Sequence, residues 1–192
     1  MDERARQAVA VSSLTMSRVR IAELTADDGP EFVGAMRASA KLHRPWLEAA
    51  TNATAFNAMF ERTQDDTFYS LLARRREDGA IVGFFNISNI VRRSFQSAFL
   101  GYGGSAVFAG QGYMSEAMQL ALRYAFVDLG LHRLEANIQP GNAASIALAR
   151  RSGFAKEGFS ERYLKIGGRW RDHERWAIRA EQWREFRREH VG

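Results

Sequence analysis

Leu100-Gly-Tyr-Gly-Gly-Ser-Ala-Val-Phe-Ala-Gly-Gln-Gly-Tyr-Met-Ser-Glu-Ala117 decides how this 192-residue chain is read. Its first half reads as a strand and its second half opens a helix, with Gly110-Gln-Gly112 at the junction. Glycines at such a junction leave backbone N–H groups accessible at the positive end of the helix dipole, a geometry that binds phosphate. A tight turn is the plain alternative. The segment lacks the lysine of a P-loop and the third glycine of a dinucleotide fingerprint, so neither ATP nor NAD is its natural guest. Gly103-Gly104 inside the strand indicates a bulge or a close backbone approach.

Working outward, the helix extends from Gly110 to about Leu129, followed by a strand at His132 to Ile138 and a helix at Asn142 to Arg151. A strand begins at Phe154, and Gly167-Gly168 joins the last two strands as a hairpin. Upstream, Arg18 to Leu24 reads as a strand, Thr25-Ala-Asp-Asp-Gly-Pro as a helix start, and the helix runs to about Leu42. His43-Arg-Pro-Trp-Leu connects it to a helix at Thr54 to Arg62. The period then becomes strand-like over Phe68 to Arg75, Ile81 to Ile90 and Phe95 to Ser105, with turns at Asp78-Gly79 and Arg92-Arg-Ser. A β-α-β unit entered from an antiparallel meander implies an α/β fold, a mixed and mostly antiparallel sheet with helices on both faces. Residues 1–16 read as a loose arm, 17–180 as one domain and 181–192 as a short charged tail or helix.

Composition narrows the chemistry. Hydrophobic residues at 46% and charged residues at 26% are too apolar a mixture for disorder. The absence of cysteine excludes disulfides, iron–sulfur clusters and cysteine nucleophiles. The four histidines, His43, His132, His173 and His190, share no metal-ligand spacing, so no metal is expected and they read as structural. With neither a signal-like apolar segment nor a run approaching the ~20 residues that span a bilayer, the chain reads as cytoplasmic and not membrane-bound. A net charge of +5, with a pI near 10.0, favours partners that carry phosphates or carboxylates.

Further signals follow the loop: Asn142-Ala-Ala-Ser after Pro140-Gly141, then Arg151-Ser-Gly-Phe, Lys156-Glu-Gly and Tyr163-Leu-Lys-Ile. Together, residues 100–178 closely resemble the GNAT superfamily of acetyltransferases, and within it the RimJ/RimL-type ribosomal-protein N-terminal acetyltransferases. The resemblance implies a GNAT-like sheet whose parallel strand pair splays to hold acetyl-CoA. It implies the CoA pyrophosphate on the amides of Gly110, Gln111, Gly112, Tyr113, Met114 and Ser115, and pantetheine along the backbone of Tyr102 and Gly104. Asn142 matches a cofactor-contacting asparagine and is also a natural helix N-cap. There are departures. Ala109 stands where an arginine or glutamine is common, Met114 where a small residue is, and Ala149 where many members carry the tyrosine that protonates the leaving thiolate.

For the chemistry, a neutral amine must attack a thioester, so a proton acceptor, oxyanion donors and an acid for the thiolate are required. Ser145, three residues beyond Asn142 on nearly the same helix face, is the candidate acid or thiol-orienting donor; its alternative is a plain helix serine. Glu135, alternating with Asn137 onto one face of its strand, is the candidate base, unless it only pairs with an arginine such as Arg133 or Arg162. Glu157 is a weaker substitute, and Glu116 is placed for the helix dipole. Trp46 occupies the region that forms a wall of the amine groove in the related enzymes, or it packs in the core. The expected reaction is direct transfer from acetyl-CoA, in a ternary complex, to the N-terminal α-amine of a protein such as a ribosomal protein, with possible ribosome association. A small amine is the alternative acceptor, and a non-catalytic RNA- or ribosome-binding module is the rival from another class.

Overall fold

The computed structural model describes residues 17–190, so the arm expected over 1–16 and the last two residues of the tail lie outside the described residues. Seven strands form one sheet in the order β1-β2-β3-β4-β5-β7-β6. They are β1 (Val19–Glu23), β2 (Tyr69–Arg75), β3 (Ile81–Val91), β4 (Ser97–Gly104), β5 (Arg133–Ile138), β6 (Ala155–Ile166) and β7 (Arg169–Arg179). Every neighbouring pair is antiparallel except β4 and β5. The mixed sheet is therefore as the sequence reads.

β3 is buried at five consecutive positions, Ile81 to Phe85, because it is covered on both faces. On one face, helices α1 (Gly29–Ala38) and α3 (Ala53–Arg62) set Phe32 and Phe56 against Phe84, with Phe32 5.7 Å from Phe56 and 5.4 Å from Phe84. On the other, α4 (Tyr113–Arg123) buries Ala117, Met118, Ala121 and Leu122 at the helical spacing that makes a single apolar stripe. Helix α5 (Ala143–Arg151) follows β5, and α6 (Ala180–His190) follows β7. α6 is charged in sequence yet buries Trp183, whose ring lies 5.6 Å from Phe126.

Three boundaries differ from the sequence reading, each for a local reason. The helix expected to reach Leu42 breaks at Ser39, leaving a short α2 (Ala40–His43); Ser39 Oγ donates to the Ala35 carbonyl at 2.8 Å and accepts the Ala106 N–H at 2.9 Å. The helix expected from Gly110 begins at Tyr113, since Gly110 (φ 75°) and Gly112 (φ 83°) are left-handed. It gives way to a π turn over Tyr124–Asp128. β4 starts at Ser97 rather than Phe95, because Gln96 has φ 43°. The Gly167-Gly168 hairpin stands, both glycines having the positive φ that a two-residue turn of this type needs.

Among the described residues the one parallel strand contact is short. β4 and β5 pair at Ser97–Arg133, Ala98–Leu134 and Phe99–Glu135, and then separate, as β5 stays registered to β7 out to Ile138. Among the described residues no helix is long and apolar enough to cross a membrane.

Candidate active site

Beyond the point where β4 and β5 part, a cavity of about 560 Å³ is bordered by the end of β4, the segment leading into α4, helix α5 and the His43–Leu47 segment. The Ser105 N–H donates to Val82 of β3 at 2.7 Å, so strand alternation turns the backbone edges of Tyr102 and Gly104 the other way, toward the gap. These two residues line the cavity. Of the two readings of Gly103-Gly104, close approach holds and the bulge does not: β3–β4 register is unbroken there. A Cβ on Gly103 would lie 2.7 Å from the Phe84 ring, and one on Gly104 3.2 Å from Met114 Cγ.

At one end of the cavity the Gly110–Ser115 segment enters α4, and Gly110, Gly112, Met114 and Ser115 all line it. The opening amides of a helix lack an acceptor one turn back, but here the Gln111 N–H donates to the Phe108 carbonyl at 3.4 Å and the Ser115 N–H to the Gly112 carbonyl at 3.0 Å, so Gly110, Gly112, Tyr113 and Met114 supply the amides left for a ligand. Gln111 and Tyr113 do not line the cavity. Gln111 Nε2 donates to the Val107 carbonyl at 2.9 Å, and the buried Tyr113 ring packs edge-on against Phe108, so these two can contribute only backbone.

Arg18, which the sequence reading missed as a site residue, braces this loop. Its Nε donates to Glu116 Oε1 at 2.7 Å and its backbone N–H to Glu116 Oε2 at 2.8 Å. One of its terminal nitrogens reaches the Gln111 carbonyl at 3.1 Å, and the guanidinium lies 4.3 Å from the Tyr113 ring centre. Glu116 thus does more than face the helix dipole. No local pattern shows this pairing, because its members are 98 residues apart.

Helix α5 supplies another wall through Asn142, Ser145 and Arg151. Asn142 caps the helix, its Oδ1 accepting the Ser145 N–H at 3.2 Å, and still borders the cavity. Ser145 is partly exposed toward it. The Tyr102 hydroxyl donates to the Ser145 carbonyl at 3.1 Å, tying β4 to α5 across the gap. Burial pushes the Tyr102 hydroxyl well above its usual range, so it remains a neutral donor. Ala149 is fully buried and offers no hydroxyl. Arg151 is a further lining residue that the sequence reading did not single out.

Glu135 is not brought to this cavity. It belongs to the three-residue stretch where β4 and β5 are still paired, before the gap opens, and its carboxylate accepts from Arg133 at 2.8 Å. Arg133 also bonds Glu157 at 2.5 Å. The ion-pair alternative is therefore the one the geometry displays for both acids. Trp46 lines this first cavity and not the second one described below; a Cβ on Gly141 would lie 3.0 Å from its ring, and Gln139 Nε2 donates to its carbonyl at 3.1 Å.

A second cavity, about 760 Å³, lies beyond the His43–Leu47 segment and is bordered by Arg37, Arg44, Glu48, Arg171 and the β6–β7 hairpin. Glu48 accepts the Gly167 N–H at 3.1 Å, pinning the hairpin to the linker. Arg44 and Arg171 have no acidic partner among the described residues. His43 and Leu47 line both cavities. His43 is 4% exposed; its Nε2 lies 2.8 Å from the Gly104 carbonyl and its buried Nδ1 has no partner.

A mixed sheet whose one parallel pair splays beside a glycine-rich helix start defines the architecture of the GNAT class. The chain belongs to the acetyltransferase (GNAT) domain family, which matches residues 18–155. It is 37% identical over 118 residues to the probable N-acetyltransferase YjcK of Bacillus subtilis, covering 62% of this chain and 65% of that protein. It is 41% identical over 107 residues to the ribosomal protein uS5-alanine N-acetyltransferase of Escherichia coli, covering 56% and 55%. The match thus spans between half and two thirds of the length of these curated relatives. Among solved structures, Mycobacterium smegmatis RimJ in complex with CoA-disulfide superposes with a TM-score of 0.77 at 26% identity, covering 85% of this chain and 83% of that one. Spermidine N-acetyltransferase from Vibrio cholerae, with CoA and spermine, shares the fold (TM-score 0.74, 18% identity, 86% and 98% covered).

The brace predicts a local effect. Arg18→Ala is expected to speed amide hydrogen exchange across 110–115 while leaving β3 amides protected, because opening is confined to elements whose contacts are lost. Unchanged exchange in the loop would show that the glycines hold their conformation unaided.

Proposed function

We propose that the chain transfers an acetyl group from acetyl-CoA to an amine, and that its acceptor is the N-terminal α-amine of a protein, such as a ribosomal protein. The observation that carries this reading is the cavity at the β4–β5 parting, with open helix amides at one end and Ser145 in its wall, adjoining a second cavity through His43 and Leu47. Two substrates have room to meet there. The CoA pyrophosphate lies on the amides of 110–115, pantetheine bonds the free edge of β4 at Tyr102 and Gly104, and Asn142 borders the thiol end. Transfer is direct, in a ternary complex, since no cysteine exists to form a thioester with the enzyme.

Charge at the second cavity favours the peptide over a polyamine. Arg37, Arg44 and Arg171 face it against the single acid Glu48, which is engaged by the hairpin. A polycation is repelled by that wall, whereas the carbonyls and carboxylates of a peptide are attracted to it. The uS5-alanine acetyltransferase relative supports the same acceptor class. Incubating the enzyme and acetyl-CoA with peptides beginning Ala or Ser, and separately with spermidine, and reading acetylation by mass spectrometry tests the assignment. Acetylated peptide and unmodified spermidine are expected; the reverse would move the acceptor to the small amines.

Two variants separate binding from chemistry. Gly112→Val places a branched side chain on a left-handed residue where phosphate must approach backbone, and should weaken CoA binding in calorimetry by at least tenfold, about 1.4 kcal/mol. Ser145→Ala should leave CoA affinity nearly unchanged and lower kcat toward the ~10²-fold end of general-acid effects, since its hydroxyl bonds the thiolate mainly as charge develops. Wild-type kcat in that variant would assign thiolate protonation to water.

A further inference from the structure

His43 was read from sequence as structural, but its surroundings set it apart. It is buried, and it is the one titratable residue that borders both cavities. Among the other ionisable groups along the two walls only the Glu48 carboxylate can accept a proton, and it borders the second cavity alone. Arg37, Arg44, Arg151 and Arg171 are cationic, Tyr102 donates to the Ser145 carbonyl, and Glu48 is engaged by the Gly167 N–H.

Its hydrogen bonding fixes which nitrogen is available. A carbonyl only accepts, so the Gly104 contact at 2.8 Å requires the proton on His43 Nε2 and leaves the lone pair on Nδ1. That Nδ1 is buried and unpartnered. An orphaned buried acceptor costs on the order of 1–3 kcal/mol, and natural sites that keep one have a use for it. The anchoring carbonyl belongs to Gly104, on the free edge of β4, so the imidazole stands beside the strand along which the thioester would lie and at the boundary with the acceptor cavity.

We propose that His43 is the general base of the transfer, an inference that rests on the acetyltransferase reading and supplies the proton acceptor that Glu135 does not. The acceptor arrives as an ammonium and gives one proton to Nδ1, directly or through one water, once the seating of the substrates uncovers that buried nitrogen. The freed lone pair forms the N–C bond to the thioester carbonyl, and the C–S bond breaks with its electron pair going to sulfur. The second N–H proton passes to that thiolate through Ser145 or water, and the imidazolium returns its proton to solvent. Throughout, Nε2–H keeps its bond to Gly104, which holds the ring in place. The charged groups facing His43 are Arg37 from α1, the adjacent Arg44, Glu48 from the linker, Arg171 from β7 and Arg151 across the first cavity.

His43→Gln is the informative variant, because its amide N–H can replace Nε2–H at Gly104 while nothing titrates at Nδ1. With the Ala- or Ser-initial peptide and acetyl-CoA, it is expected to lose 10²-fold to 10⁴-fold in kcat, the usual span for a general base. CoA affinity should remain within twofold. Nitrogen-15 NMR of the CoA-bound full chain, with the His43 signal assigned by its absence in the variant, should show the Nε2–H form. An active wild type whose His43→Gln variant keeps its rate would reduce His43 to a strut for Gly104, as would the Nδ1–H tautomer. A wild type that acetylates neither peptide nor spermidine would instead sink the transfer reading.

Discussion

The early parting of β4 from β5 is the constraint on which the rest of the structure depends. After Phe99–Glu135 the two parallel strands no longer share hydrogen bonds, yet each remains held by its outer neighbour, β4 by β3 out to Gly104 and β5 by β7 out to Ile138. Buried N–H and C=O groups cannot stay unpaired without cost. On the inner edge of β4 the Gly104 carbonyl is met by His43 Nε2 at 2.8 Å, and the other backbone groups that this edge presents to the cavity are open to an extended, amide-bearing ligand, the role proposed for pantetheine. The cavity is the space the sheet leaves by refusing its own pairing.

Several unrelated-looking residues serve that opening. Tyr102 reaches across to α5 at the Ser145 carbonyl and sets the width of the gap. Ser39 breaks α1 from α2 and receives the Ala106 N–H just past β4, which turns the chain toward His43. Met114, larger than the residue usual at its place, fills the space beside Gly83 and Gly104; a Cβ on Gly83 would lie 2.5 Å from its sulfur. The glycines of β3 and β4 are thus matched to a methionine on α4, and the departure at 114 is absorbed by packing.

The phosphate end shows a similar substitution of means. Ala109 removes the side chain that the resemblance leads one to expect, and no cation replaces it within the loop. Arg18, from the far edge of the sheet, instead braces the loop from behind through Gln111 and Glu116. That arginine is exposed and its ion pair is screened by solvent, so its contribution is to loop order more than to global stability.

The order of strands and helices was legible in the amino-acid sequence, because period-two and helical patterns and turn glycines at 79, 110, 112 and 167–168 act over a few residues. The glycine loop before α4, the Asn142 cap and Ser145, which all border the cavity, were legible for the same reason: each is a short motif at an element boundary. Glu135 was misplaced, since strand alternation tells which face a side chain takes and not whether the neighbouring strand has yet departed. Arg18, Trp183 and His43 were invisible as site or core residues, their decisive contacts lying at Glu116, Phe126 and Gly104. Local chemistry thus determined the elements and the glycine-rich turn into α4, whereas only the tertiary structure decided where the parallel strands part, which acid is already paired and which histidine nitrogen is left without a partner. Those properties depend on hydrogen bonds and burial between residues tens of positions apart, and no window of sequence contains both partners.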